Sequence, residues 1–362
     1  MRKFLKLDWT ILISVALLLT VSFVILYAVA LGEKNVDFSN LKRQMVAASI
    51  GMFLLFSIAF FDYRSLNFFS TKLYFITIFL LVLVLLIGKT IRGATGWIGF
   101  GSFHVQPVEI AKLAMIIFLA SFFSKKKSQL SIVVRIITSI ILVFIPVFLI
   151  IKQPDLGSSM IIVFSWATML SISGVSKKNL SILILSGLVI IYSSWFILRP
   201  YQKERLLNFV NPYNDPRGSG YNVIQSMVAV GSGGIWGKGL GRGSQSQLNF
   251  LPEKHTDFIF AVIAEEFGFS GAAAILALFG VLIYRIKEVA RSSTDNFGYL
   301  LSVGIMVMIF AQVLINVGMN IGAMPVAGVP LPFLSYGGSS LVSMLASIGI
   351  IQSVYLRRAG VM

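Results

Sequence analysis

Long uninterrupted apolar blocks dominate the pattern of hydrophobic and polar positions along this chain. The clearest block runs from Trp9 to Leu31 and contains no charged residue. A helix needs about 20 apolar residues to cross a bilayer, whereas elements of soluble domains alternate apolar with polar positions. The pattern therefore predicts an all-α integral membrane protein, a bundle of about ten transmembrane helices. The predicted spans are residues 9–31, 44–61, 72–88, 107–123, 132–151, 155–173, 180–198, 258–284, 298–321 and 334–356.

The first block also has features of a signal peptide, because basic residues precede it and small residues lie near its end. The apolar core of a signal peptide is about 7–15 residues long, and this block is longer. We therefore interpret it as a retained first helix.

Composition narrows the chemistry that the chain can perform. It is 57% hydrophobic and 12% charged, and its mean hydropathy is +0.88. It has no cysteine, which excludes disulfides and thiol catalysis, and its only histidines are His104 and His255, too few for the usual zinc sites. A net charge of +16 resembles that of nucleic-acid-binding proteins. In a membrane protein the surplus is better explained by basic cytoplasmic loops, so no nucleic-acid partner is predicted.

Basic residues are distributed unevenly between the two sides of the membrane. Fifteen Lys and Arg residues fall in loops on the side of the N-terminus, and six fall in short loops on the other side. This asymmetry predicts a multi-pass protein of the cell membrane (the inner membrane in a Gram-negative host) with both termini in the cytoplasm.

One connection is much longer than the others. Residues 199–256 are rich in Gly, Asn, Gln and Ser and carry seven basic residues against three acids. Loops of this length are usually functional. We expect a large extracytoplasmic loop, within a single transmembrane domain of residues 1–362, that folds back over the helices and lines a cavity.

Five of the fourteen acidic residues lie in or beside apolar blocks: Glu109, Asp155, Asp257, Glu265 and Glu266. An ionisable group inside a transmembrane helix costs about 2.5–3.5 kcal/mol on insertion scales, so such groups usually face a cavity and have a function. Glu265 and Glu266 are the deepest, and Gly268 would let another backbone approach closely, as would Gly271. For these two acids a structural or relay role is predicted.

Glu109 and Lys112 are three residues apart, so they share one helix face near its outer end. They form either a structural ion pair or an electrostatic site for an anionic head group. Asp155 is either an acid favoured by the dipole of the next helix or a cavity group. Asp257 follows Lys254 and His255 at the outer boundary. It either caps the next helix or serves as a general base or a ligand of a divalent cation.

Three further patterns are polar or irregular. Gln312, Asn316 and Asn320 repeat every four residues and predict a polar stripe that forms hydrogen bonds between helices. The glycine-rich stretch 231–243 lacks the Gly-Lys-Ser/Thr ending of a Walker loop. Its backbone N–H groups and the Lys238 side chain could nevertheless bind a phosphate. Residues 325–340 contain three prolines and then two glycines, which predicts a rigid non-helical segment before the last span.

Five of these segments together resemble the SEDS family of shape, elongation, division and sporulation proteins. The similarity runs almost from end to end, in the order of the family's motifs, and favours the elongation (RodA) type over the division (FtsW) type. The segments are Gln106–Lys112, Gln153–Gly157, Gln225–Gln247, Leu251–Gly268 and Pro330–Ser339.

The resemblance implies a peptidoglycan glycosyltransferase. Such an enzyme polymerises lipid II outside the membrane during cell elongation and shape maintenance, and releases undecaprenyl pyrophosphate. Asp257 matches the acid that the family is thought to need for catalysis. The expected partners are lipid II, a class B penicillin-binding protein (a transpeptidase) and other membrane proteins of the elongation complex. The candidate cavity residues are Glu109, Lys112, Asp155, Gln153, Gln225, Lys238, His255 and Ser335.

This reaction fits the residues. A carboxylate can remove the proton of the attacking sugar hydroxyl, and cations are needed for the anionic leaving group. A divalent cation, Mg²⁺ or Mn²⁺, is therefore expected, with Asp257 as its tentative ligand, and no organic cofactor is expected. Two alternatives remain open at this point: a lipid II flippase or other transporter, and a scaffold that only recruits its partner.

Overall fold

The structure of the chain is a computed structural model. It describes residues 6–32, 36–91, 94–100, 103–125, 131–176, 178–183, 185, 187, 196, 203, 207, 209–216, 218 and 220–358. The α-helices and strands with defined bounds are α1 (Trp9–Leu31), α2 (Ser39–Phe60), α3 (Arg64–Ile87), β1 (Lys89–Ile91), β2 (Ala94–Phe100), β3 (Phe103–Val105), α4 (Pro107–Ser124), α5 (Ile132–Lys152), α6 (Leu156–Ile172), α7 (Tyr221–Ser232), α8 (Ser244–Gln247), α9 (Ile259–Arg291), α10 (Asn296–Asn320) and α11 (Gly338–Leu356). A 3-10 helix covers Pro212–Asn214.

The helices confirm a multi-pass, mainly α-helical membrane protein. Eight of the described helices are long and apolar enough to cross a membrane, and the shorter α6 is apolar as well. These nine helices overlap nine of the predicted spans. The predicted seventh span, 180–198, lies largely outside the described residues, so the total of about ten stays a prediction.

The predicted start of the third span is wrong. Helix α3 begins at Arg64 rather than at residue 72, so Lys72 lies inside the helix and not in a loop. Its Nζ atom lies 6.0 Å from the ring centroid of Phe68 and 5.7 Å from that of Phe69. A Lys side chain can keep its apolar stem along a helix and its charge against aromatic faces, which explains why this charge does not end the helix.

The bundle has two ends that differ in content. At the end where α1 starts and α11 finishes, which we call the terminal end, the Gln352 side chain bonds to the backbone of Asp8 at 2.9 and 3.0 Å. Arg285 of α9 pairs there with the Asp8 carboxylate at 2.6 Å. The opposite end, which we call the site end, holds the first turns of α4, α6, α9 and α11 and the last turn of α10.

Packing places α10 at the centre of the described helices. It lies against α4, α6 and α9, and α2 packs along α11. The buried apolar core runs through these helices, whereas large apolar side chains on α2, α3 and α5 are exposed. In a membrane protein such an exposed apolar surface contacts lipid.

A small antiparallel sheet of order β1-β2-β3 connects α3 to α4 at the site end, and the apolar pattern did not predict it. Its strands are three, seven and three residues long, too short for a clear period-two pattern. The Ser339 hydroxyl ties it to α11, since it accepts from the Gln106 backbone N–H at 3.0 Å and donates to the His104 carbonyl at 3.3 Å.

The eighth predicted span, 258–284, is one helix in the prediction but is interrupted in the structure. Gly268 inside α9 has φ 68° and ψ −165°, outside the helical region. The loop before α9 takes up the freed backbone groups: Phe269 N–H donates to the Gly234 carbonyl at 2.8 Å and Ser270 N–H to the Ile235 carbonyl at 3.0 Å. Irregular backbone at membrane depth is tolerated only when it is satisfied in this way.

Gly268 confirms the predicted close approach of another backbone, because a Cβ atom there would collide with the backbone of Ile235 and Gly237. The same prediction for Gly271 is wrong. The atoms nearest to a Cβ at Gly271 belong to Phe267 of the same helix, so this glycine makes room for a neighbouring ring and not for another chain segment.

Candidate active site

Asp257 lies at the site end, two residues before α9 begins, and its side chain is half-buried. Its backbone carbonyl accepts hydrogen bonds from the side-chain amides of Asn316 at 2.9 Å and Asn320 at 3.0 Å. Two fully buried amides thus fix the backbone of this residue while the carboxylate takes no part in those bonds. The residue at the N-cap position of α9 is Phe258, so Asp257 lies one position before the cap.

The polar stripe of α10 is confirmed as an interhelical hydrogen-bonding element for two of its three members. Asn316 also donates to the Val329 carbonyl at 2.7 Å. The Asn320 side-chain oxygen accepts from the Ala261 N–H at 3.1 Å and from the Ser226 hydroxyl at 3.3 Å. The stripe therefore joins α7, α9 and the segment before α11 around one point. The third member, Gln312, is fully buried and its amide makes no hydrogen bond to a described residue.

Helix α7 brings the candidate Gln225 to this region. Its neighbour Ser226 is fully buried and donates to the Asn320 carbonyl at 2.9 Å, which anchors α7 to the end of α10. Gln225 itself is half-buried beside this anchor.

Residues 325–337 are non-helical, as their prolines and glycines predict. The Ser335 hydroxyl donates to the Thr256 carbonyl at 2.7 Å and accepts from the Leu331 N–H at 2.7 Å. Tyr336 N–H donates to the His255 carbonyl at 2.8 Å. Both bonds connect this segment to the residues directly before Asp257, so Ser335 is engaged with backbone rather than open to a cavity.

The same segment passes beside the carboxylate. Gly328 has φ 64°, a left-handed conformation that favours glycine. A Cβ atom built at Gly328 would lie 3.6 Å from Oδ2 of Asp257. The backbone of residues 327–329 therefore forms one wall next to the carboxylate.

Glu109 and Lys112 form the predicted pair. Their side chains meet at 2.8 Å and are 2% and 1% exposed, so both charges are removed from solvent. The second carboxylate oxygen of Glu109 is buried and makes no hydrogen bond to a described residue. The Ser343 hydroxyl donates to the Glu109 carbonyl at 2.9 Å and fixes α4 against α11.

Asp155 connects this pair to the wall beside Asp257. Its side chain caps α6 by accepting from the Ser158 N–H at 2.9 Å, which agrees with one of the two roles predicted for it. Helix α6 packs against α4, which carries Glu109 and Lys112. Gly157 then lies directly against Ala327 and Val329, where a Cβ would collide. Thus Asp155 and the ion pair belong to the same end and the same neighbourhood as Asp257.

Gln153 is fully buried, and its Nε2 donates to the Leu81 carbonyl at 3.1 Å. Its Oε1 makes no hydrogen bond to a described residue and points towards the sheet, 3.6 Å from a Cβ built at Gly96. This residue links α3, the sheet and the start of α6.

Lys238 belongs to a different cluster. Its Nζ donates to Glu265 at 2.9 Å, and the same carboxylate accepts from the backbone N–H groups of Gln245 at 2.9 Å and Ser246 at 3.1 Å. The glycine-rich stretch and the residues after it thus surround a carboxylate of this same chain, that of Glu265. Glu265 is fully buried, and its bonds to Lys238, Gln245 and Ser246 hold the loop against α9.

No group of three or more His, Asp or Glu side chains within the described residues could hold a metal ion. A self-contained metal site is therefore not present in that part of the chain. Mg²⁺ is commonly held by one or two carboxylates together with substrate phosphates. Asp257, a half-buried carboxylate at the site end, fits that arrangement but supplies only one protein ligand.

This geometry agrees with what the comparisons with known proteins show. A family described as cell cycle protein, comprising FtsW, RodA and SpoVE, matches residues 5–359. The chain belongs to this family. It is the SEDS family that the five motif segments indicate.

Relatives and solved structures cover nearly the whole chain. It is 40% identical to stage V sporulation protein E of Bacillus subtilis over 357 residues, 96% of each chain. It is 38% identical to the peptidoglycan glycosyltransferase MrdB of Escherichia coli, over 97% of this chain and 94% of that one. A chain from a structure described as a peptidoglycan synthase complex that coordinates polymerization and crosslinking matches with a TM-score of 0.82 and 35% identity, over 98% and 99% of the two chains.

Sequence reasoning missed one residue that builds this site. Gln44 holds the segment beside Asp257, yet it carries no charge and lies outside the five motif segments. It is a polar residue at the edge of an otherwise apolar block, and that pattern does not indicate its distant partners.

Proposed function

We propose that this chain polymerises lipid II into glycan strands at the outer face of the cell membrane, for cell elongation and shape maintenance, with Asp257 at the reacting sugars. The chain is a peptidoglycan glycosyltransferase, as its relative MrdB is named. In the reaction, a sugar 4-hydroxyl attacks the anomeric carbon of a second lipid-linked sugar. The bond from that carbon to the pyrophosphate breaks, and undecaprenyl pyrophosphate leaves.

The observation that carries the role of Asp257 is the position at which its backbone and its side chain are held. The carbonyl is held by two buried amides, whereas the half-buried carboxylate lies beside the glycine wall at Gly328. We assign to it the proton of the attacking hydroxyl, a task for which a positioned carboxylate gives typically 10²–10⁴-fold acceleration.

The leaving pyrophosphate needs positive charge. Lys112 supplies one cation near Asp155, although its partner Glu109 neutralises it in the structure described here. A divalent cation, Mg²⁺ or Mn²⁺, would supply further positive charge for the leaving group, and Asp257 is the residue that would hold it. Gln153, Gln225 and His255 are assigned to substrate binding around this centre.

Topology and partners follow the same proposal. The basic loops predict that the terminal end faces the cytoplasm, so the site end with Asp257 faces outward, where lipid II is presented. The match to a chain of a peptidoglycan synthase complex supports a stable partner. A class B penicillin-binding protein is the expected one, because its cross-linking acts on the strands that a polymerase makes.

The test is glycan polymerisation by the purified chain with its partner, from purified lipid II, for wild type and Asp257→Asn. This substitution keeps the shape of the side chain and the two backbone hydrogen bonds. We expect the rate to fall about 100-fold or more. Wild-type rates in the variant would remove Asp257 from the chemistry.

Two additional arms separate the alternatives. Labelled lipid II that crosses vesicle membranes without any glycan product would indicate a flippase. Polymerisation with chelator, followed by readdition of Mg²⁺ or Mn²⁺, tests the cation: an unchanged rate in chelator would exclude it and leave Asp257 as the base alone.

A further inference from the structure

We propose that Gln44 of α2 is a positioning residue for Asp257, acting through the segment before α11. The inference deepens the proposed function and depends on Asp257 being at the reacting sugars. Gln44 is separated from Asp257 by more than two hundred positions in sequence, and nothing in its local pattern assigns it to the site.

Gln44 contacts the backbone of the segment directly before α11. Its side chain is fully buried. Its Nε2 donates to the Ser335 carbonyl at 3.0 Å, and its Oε1 accepts from the Gly337 N–H at 3.2 Å. Both the donor and the acceptor of the amide are therefore bonded, and Gln44 connects the two ends of the non-helical stretch 335–337.

Residues 335–337 are in turn bonded to the residues directly before Asp257. The Ser335 hydroxyl donates to the Thr256 carbonyl, and Tyr336 N–H donates to the His255 carbonyl. The three residues 335–337 that Gln44 holds are therefore the same residues that hold the two positions immediately before Asp257.

The backbone of Asp257 is also held independently from the side of α10. Asn316 and Asn320 bind the carbonyl of Asp257 from α10. The backbone around Asp257 is thus fixed from two directions, by α10 and by the segment that Gln44 holds. Removing Gln44 frees one direction only, so the carboxylate shifts while the bundle remains assembled.

Loss of Gln44 is expected to change the catalytic rate more than the binding of lipid II. A misplacement of about 1 Å in a catalytic group can lower the rate about 100-fold, even when the cause lies far from the chemistry. Gln44 lies one hydrogen-bonded segment away from Asp257, so its loss is expected to lower kcat and to leave KM for lipid II close to that of wild type.

The chain offers a matched control. Gln352 is also a fully buried glutamine whose amide both donates to and accepts from one stretch of backbone, that of Asp8 at the terminal end. Gln44→Met and Gln352→Met remove the same groups from equally buried positions. Both variants are expected to lower the Tm of the purified protein by similar amounts.

Steady-state polymerisation from lipid II, measured below both Tm values, distinguishes the two. We expect kcat to fall about 10- to 100-fold in Gln44→Met, with KM unchanged, and to stay within about twofold of wild type in Gln352→Met. Equal activities at equal Tm loss would overturn the proposal. A rise in KM without loss of kcat would also overturn it, because it would make Gln44 a substrate-binding residue.

A double-mutant cycle tests the path itself. Gln44→Met and Ser335→Ala interrupt the same connection, so their effects on kcat are expected to be non-additive, whereas Gln44→Met and Gln352→Met should add. Additive effects for Gln44 and Ser335 would contradict the path. Asp257→Asn in the same assay separates the two hypotheses: if it is active, the proposed function fails, and if it is inactive while Gln44→Met resembles Gln352→Met, only this inference fails.

Discussion

Both ends of the bundle bury polar groups, but they satisfy them differently. At the terminal end, Asp8 caps α1 through one carboxylate oxygen and binds Arg285 through the other, and Gln352 uses both halves of its amide on the backbone of Asp8. Nearby, the Tyr63 hydroxyl donates to Asp295 at 2.6 Å, and burial raises the pKa of Tyr63, which keeps the donor protonated.

The site end leaves several buried oxygen and nitrogen atoms without a partner among the described residues. They include one carboxylate oxygen of Glu109, Oε1 of Gln153, one carboxylate oxygen of Glu266 and both polar atoms of the Gln312 amide. A buried group that makes no hydrogen bond costs about 1–3 kcal/mol, so a fold keeps such groups where they serve another purpose. The Ser302 hydroxyl in the terminal half of α10 is also without such a partner, so the difference is one of degree. The charged and amide groups at the terminal end are mutually paired, whereas those at the site end leave atoms available to a polar substrate.

The largest expected effect comes from breaking the buried pair at the site end. Lys112→Met leaves Glu109 buried without its partner and is expected to cost about 3–5 kcal/mol of stability. Glu109→Gln with Lys112→Met removes both charges and should recover most of the stability, measured as Tm, but not the polymerisation of lipid II. If the double variant polymerises at the wild-type rate, the pair is structural and the contrast between the ends weakens.

A smaller effect is expected at the terminal end from Asp8→Asn. The variant keeps an oxygen for the cap of α1 but loses the charge that Arg285 binds at 2.6 Å. Stability should fall by about 1–3 kcal/mol, and kcat should stay at its wild-type value below the new Tm. Loss of polymerisation in a folded Asp8→Asn protein would show that the terminal end also governs catalysis.

The smallest change adds one methyl group at each of two glycines. Gly328→Ala and Gly174→Ala both place a side chain in the left-handed region, at φ 64° and 90°, which costs about 1–2 kcal/mol in each case. A Cβ at Gly174 has no atom within 4 Å, whereas one at Gly328 lies 3.6 Å from Asp257. Similar Tm losses with reduced kcat in Gly328→Ala alone are expected, and equal kcat values would argue against a wall at Gly328.

The spans were predictable because lipid imposes a simple requirement on composition. The charge-free block 9–31 coincides with α1, and the four-residue repeat of Asn316 and Asn320 identifies a hydrogen-bonding face that the structure confirms. Ionisable residues in apolar blocks also pointed to Glu109, Asp155 and Asp257, because a charge there is costly.

The remaining features depend on contacts between distant segments, which no local pattern records. The two bonds of Gln44 join residues that are 291 and 293 positions apart. The interruption at Gly268 depends on backbone bonds to the loop around Ile235. The sequence also does not show that Lys238, predicted to bind a phosphate, binds the Glu265 carboxylate instead. Short strands such as β1 and β3 carry too few residues for a periodic signal.

The interruption of α9 also has a consequence for how the protein is made. The backbone groups at Phe269 and Ser270 would each cost several kcal/mol if they met lipid without partners. Their partners, Gly234 and Ile235, precede α9 in the chain and therefore leave the ribosome first. Both acceptors have therefore been synthesised before the N–H groups that need them, so the second half of α9 never depends on a segment that follows it in the chain for these two bonds.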